Sequence, residues 1–94
     1  MVLNYRGFLF HCMRKFPEAI KDFDKVLSMT DNLYQNALFY KGRCLERMEQ
    51  FNEALKVYED CWKINPTTNL GRNALHRKST LKARLKGKKG EVEE

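Results

Sequence analysis

Long apolar runs are missing from this chain. Its longest stretches, such as Phe8-Leu9-Phe10, are a few residues long, where a membrane-spanning helix needs about 20. Paired cysteines are missing too. Cys12, Cys44 and Cys61 are odd in number with no Cys-x-x-Cys spacing, which argues against a disulfide framework and against a zinc site. The segment Met1 to Gly7 has no uninterrupted apolar stretch behind a basic start, so no secretory signal is expected. These absences predict an intracellular, most simply cytoplasmic, protein with no membrane contact. Acid is missing from one long stretch: residues 61–90 carry nine lysines and arginines and no aspartate or glutamate, whereas residues 1–60 carry nine basic and nine acidic side chains and sum to zero. The formal charge of +6 therefore belongs to the C-terminal third.

What is present is a soluble globular composition, 43% apolar and 32% charged, on 94 residues. A chain of this size buries only about 60–65% of its unfolded surface and leaves no room for a large catalytic core. It does leave room for a repeat. Shifting the sequence by 35 residues superposes Leu3/Leu38, Tyr5/Tyr40, Gly7/Gly42, Met13/Met48, Phe16/Phe51, Glu18/Glu53, Ala19/Ala54 and Lys21/Lys56, eight identities in 27 positions. Apolar residues at i, i+4 and i+7 (Leu3, Gly7, Phe10 and Leu38, Gly42, Leu45) mark a first helix in each unit. The glycine recurring inside that helix costs roughly 0.5–1 kcal/mol against alanine, which suggests close approach of another backbone. Short turns at Arg14-Lys15 and Glu49-Gln50 lead into second helices, opened by Pro17 in one unit and with Asn52 as the expected N-cap in the other. Their apolar faces are Ala19, Ile20, Phe23, Leu27 and Ala54, Leu55, Tyr58, Trp62. Past Pro66, the Asn65 to Asn69 loop offers caps for a third stretch whose stripe is Leu70, Ala74, Leu81 and Leu85.

Leu38, Gly42, Leu45, Phe51, Ala54, Tyr58 and Pro66, with Leu3, Gly7, Phe10, Phe16, Ala19 and Phe23 in the first unit, resemble the tetratricopeptide repeat pattern. The departures are Arg6 and Lys41 in place of leucine, Asp31 in place of proline, and one extra residue near Asp31-Asn32. The resemblance implies an all-α fold of helix-turn-helix repeats forming a short right-handed superhelical solenoid. Its expected parts are repeat 1 over residues 1–33, repeat 2 over 34–68, a basic capping helix over 69–86 and a disordered tail over 87–94. It also implies a non-catalytic adaptor or scaffold that binds a protein or peptide segment in a groove lined by the first helices. Counting 100° per residue, the groove positions are Asn4, Phe8, His11, Asn36, Phe39, Arg43, Glu46 and Arg47. Phe8 and Phe39 are the apolar anchors or, equally, internal packing residues; Arg43 and Arg47 are suited to a carboxylate or phosphate. The lysine and asparagine clamp with which some members of the family grip chaperone tails is absent.

Catalysis finds little support. His11 and Cys12 are neighbours and point about 100° apart on a helix. Cys44 and Cys61 sit where small packing residues belong, and Asp22/Asp24 and Glu59/Asp60 read as a solvated face with nearby lysines. No catalytic residue, cofactor or metal is expected. Two alternatives remain: self-assembly through an exposed repeat face, as a homo-oligomer or against adjacent repeats of a longer chain, and docking of nucleic acid or an acidic surface on Arg77, Lys78, Lys82, Arg84 and Lys86. Nucleic acid is the weaker of the two, because the charges encircle the helix without interleaved aromatics.

Overall fold

A computed structural model describes residues 2–31 and 33–93, with side chains described for 6–31 and 33–85. Five helices follow one another: α1 (Val2–Cys12), α2 (Phe16–Met29), α3 (Gln35–Arg47), α4 (Phe51–Ile64) and α5 (Asn69–Glu93). No strand occurs among the described residues. Each helix packs on the next. In addition α1 touches α3 and α3 touches α5, whereas α2 and α4 make no such contact, so the odd helices form one layer and the even helices another.

The 35-residue recurrence reappears as geometry. Arg14 and Glu49 both adopt the left-handed conformation, each with φ 63. Around them the Lys15 N–H donates to the Phe10 carbonyl (2.8 Å) and the Arg14 N–H to that of His11 (3.1 Å); Gln50 to Leu45 (2.9 Å) and Glu49 to Glu46 (3.0 Å) repeat the pattern. This is the Schellman closure, which satisfies carbonyls at a helix end. Because Glu49 turns the chain so sharply, α4 already opens at Phe51. Gln50 takes the N-cap position without a side-chain cap, and Asn52 lies inside the helix rather than capping it. Pro17 does sit in the first turn of α2.

The recurring glycines admit an aromatic ring, not a backbone. A Cβ on Gly7 would stand 2.8 Å from Phe23 Cε1, and one on Gly42 would stand 2.6 Å from Tyr58 Cε1. Both rings are fully buried, together with Ala19, Val26, Ala37, Cys44, Ala54, Cys61 and Ala74. The thiols of Cys44 and Cys61 are pushed up by burial, to about 12 and about 11, and behave as small apolar groups.

The register of α5 is set by Ala74 and Leu81, which are buried, with Leu70 and Leu85 half-buried beside them. Thr68 caps it, accepting from the Gly71 N–H at 3.0 Å. Gln35 joins this corner to α3: its amide donates to the Cys61 (2.8 Å) and Asn65 (3.0 Å) carbonyls, and its oxygen accepts from Thr68 (2.8 Å). The helix continues to Glu93 instead of ending at Lys86. Lysine and glutamate are good helix formers and no proline intervenes, which offsets the cost of about 1 kcal/mol for each of Gly87 and Gly90. The side chains of the tail expected over 87–94 lie outside the described residues.

Candidate functional site

The layer formed by α1, α3 and α5 collects most of the residues expected to line a groove, but it uses them differently. Tyr40, identical to Tyr5 at the 35-residue shift, is its centre. Its ring meets Phe8 edge-on at 5.1 Å, Phe39 at 5.4 Å, His11 at 5.8 Å and Phe23 at 6.3 Å. Phe39 is only 7% exposed and also packs on Tyr58 at 5.9 Å, so it is a core residue rather than a free anchor. Phe8 remains half-buried at the edge of the cluster.

Glu46 is likewise committed internally. It accepts the Tyr58 hydroxyl at 2.9 Å and the Arg77 guanidinium at 2.6 Å, tying α3 to α4 and α5. Burial, reinforced by the Glu46 carboxylate, pushes the Tyr58 phenol well above its usual range. Arg77 thereby leaves the expected basic surface. Lys78 also turns inward, to Glu59 at 3.6 Å, while Lys82 and Arg84 stay exposed and the Lys86 side chain lies outside the described residues.

Three cationic or potentially cationic side chains remain on this face. Both ring nitrogens of His11 and the Nε of Arg43 are buried without a hydrogen-bond partner, as is the Nε of Arg77 despite its bond to Glu46. Arg47 lies over the Phe16 ring at 5.8 Å, and the same ring meets His11 at 5.8 Å. Burial, with Arg43 and then Arg47 nearby, holds the His11 imidazole below its ordinary value. Neither Arg43 nor Arg47 has an ion-pair partner among the described residues. Such an arrangement can accept an anion: the two unpaired guanidiniums are forked donors, one of them against the Phe16 ring. Asn36 is half-buried at the start of α3, and Asn4 lies outside the residues whose side chains are described.

Two features were not foreseen. Asp22 is buried, not solvated, and takes a two-pronged bond from Arg6 at 2.8 and 2.9 Å. That pair explains the arginine standing where leucine was expected. Lys41, its counterpart, instead reaches back to Asp24 at 2.6 Å, beside a cleft of about 400 Å³ between α2 and α4 that Ile20, Leu45 and Val57 help to line. Gln35 carried no periodic signal, and only the three-way bonding at the α4–α5 corner reveals its role.

Among the described residues no cluster of three or more potential metal ligands occurs, and no helix is long and apolar enough to cross a membrane. Comparison of the chain with protein-family models, with curated proteins and with solved structures finds no match.

Proposed function

We propose that this chain is a non-catalytic protein-interaction module, a short tetratricopeptide-like solenoid that binds a segment of another protein across α1, α3 and α5. The observation that carries the reading is the set of buried, unpartnered nitrogens on His11, Arg43 and Arg77, one from each helix of that layer. A buried polar group without a partner costs about 1–3 kcal/mol. Their concentration in the α1, α3 and α5 layer supports the reading that this layer takes up a polar ligand. The groove residues are Phe8, His11, Arg43 and Arg47, with Asn36 at its margin. The test is partner capture followed by mass spectrometry, using the native chain and the R43E/R47E variant. The reading expects a discrete set of partners lost in the variant while the helical circular dichroism is unchanged; an identical set from both proteins would refute it.

A structural, self-assembling role has its own supporting observation. Leu9 of α1 and Met13 just past its end are 42% and 55% exposed. Their counterparts at the 35-residue shift are Cys44, fully buried, and Met48, half-buried. A second copy seated on α1 would cover that patch. Sedimentation at micromolar concentration tests this: a dimer dissociated by L9E/M13E supports it, and a monomer throughout dismisses it. Binding of nucleic acid or an acidic surface by α5 retains Lys82 and Arg84 as free cations, and it predicts a steep loss of binding with salt.

A further inference from the structure

Several cations of the molecule carry a carboxylate partner. Arg6 is matched by Asp22, Lys41 by Asp24, Arg77 by Glu46, and Lys63 and Lys78 by Glu59. Arg43 and Arg47 stand one helical turn apart on α3 with no carboxylate paired to either among the described residues, and the acid between them, Glu46, is already engaged twice. The imidazole of His11 packs on Phe8 and Tyr40 with its two nitrogens unsatisfied, within electrostatic reach of both guanidiniums.

The charge and the donors select among anions. Two permanent positive charges balance a dianion, and a carboxylate would neutralise only one of them. Two forks plus an imidazole N–H supply donors in several directions, which suits the three terminal oxygens of a phosphate monoester better than the planar pair of a carboxylate. A nucleic-acid phosphodiester carries one charge and two free oxygens, and it leaves the same surplus.

Resting on the reading that this face captures a partner segment, we propose that His11, Arg43 and Arg47 bind the phosphoryl group of a phosphorylated side chain in that segment, with Phe8 and Tyr40 against its apolar neighbour. The two guanidiniums grip the terminal oxygens and His11 donates to a third. Burial holds the His11 imidazole below its ordinary value and the two arginines add to this; a bound dianion would offset the arginines' share.

The test is NMR of the full chain above pH 7, with His11 ring resonances followed while inorganic phosphate, N-acetyl-phosphoserine amide, dimethyl phosphate and acetate are added at matched ionic strength. Phosphate and the phosphoserine derivative are expected to move His11 saturably, with dimethyl phosphate and acetate at least tenfold weaker. R43Q/R47Q should lose about tenfold or more in affinity, and K82Q/R84Q should lose nothing. If R43Q/R47Q does not fold, R43K/R47K keeps the charges without the forks and should still weaken the response. Acetate or dimethyl phosphate equal to phosphate, or shifts indifferent to changes at Arg43 and Arg47, would overturn the assignment. Partner capture that is lost in R43E/R47E yet survives phosphatase treatment would remove the phosphoryl proposal alone and leave segment binding standing.

Discussion

The two helical hairpins share their turn closures and glycine contacts but differ in many side chains, and the differences fall in a pattern. Where the chain must turn or interlock, the units agree: the left-handed Arg14 and Glu49, the Gly7–Phe23 and Gly42–Tyr58 contacts, the buried Ala19 and Ala54. In their polar groups they diverge. The position that holds His11 in the first unit holds Glu46 in the second, and Phe23 has no hydroxyl where Tyr58 has one. The second unit therefore closes its polar network through Tyr58, Glu46 and Arg77, while the first leaves His11 open. Agreement marks what the fold requires, and divergence marks where the two units satisfy their polar groups differently.

The largest effect is expected from filling the glycine contacts. Gly42→Ala would drive a methyl into Tyr58, a fully buried ring whose hydroxyl is tethered to Glu46, so the ring has nowhere to move. Overpacking of this kind costs about 1–3 kcal/mol, against about 1 kcal/mol returned by better helix propensity. Urea unfolding should show a net loss of up to about 2 kcal/mol for Gly42→Ala and a smaller loss for Gly7→Ala, where Phe23 lacks the tether. Equal losses at both sites would mean that the tether does not matter.

Tyr58→Phe makes the second unit resemble the first at this position. It removes the hydrogen bond to Glu46 but leaves Arg77 to neutralise the carboxylate. The expected cost is about 1–2 kcal/mol, read as a lower urea midpoint with an unchanged slope. A variant as stable as the native chain would show that the network of the second unit is no tighter than the open arrangement of the first.

Sequence carried the helical hairpins well, because periodic apolar positions and a 35-residue recurrence are local signals. It placed Phe23 and Tyr58 on buried faces and Pro17 in a first turn, and it set the two cysteines among small packing residues. It failed where the outcome depends on what lies opposite. Asp22 looks like a solvated acid until Arg6 is seen across the hairpin, Glu46 looks like a groove residue until Tyr58 and Arg77 are found occupying it, and Phe39, open between anchor and packing residue, is decided by its contact with Tyr58. The helical wheel gives a residue's direction; its neighbours decide whether it is free.

Titration separates the units further. Hydrogen bonding from Arg6 holds Asp22 below the usual carboxylate range, so its contribution is complete above about pH 4 and lost as pH falls through the depressed value. His11 is depressed too, chiefly by burial. Below about pH 6.5 the unfolded chain takes up that proton more readily, and stability again falls as pH falls. Melting temperature should therefore drop between pH 7 and 5, with His11→Gln flattening that segment, and drop again below pH 4, with Asp22→Asn flattening the second. A melting temperature that rises from pH 7 to 5 would contradict the environment assigned to His11.

The smallest effect tests the agreement itself. Arg14 and Glu49 hold left-handed backbones that cost an L-residue about 1–2 kcal/mol relative to glycine, although glycine adds entropy to the unfolded chain that cancels part of the gain. Arg14→Gly and Glu49→Gly are each expected to stabilise by about 0.5–1 kcal/mol. Both residues are exposed and make the same carbonyl closures, so side-chain loss should count for little at either site. The comparison is therefore sharpest here: if the two turns are equivalent, the two gains should match within error by chemical denaturation. A gain at Glu49 with a loss at Arg14 would mean that the first hairpin holds its turn through its side chain, and the structural equivalence of the units would stop at the glycine contacts.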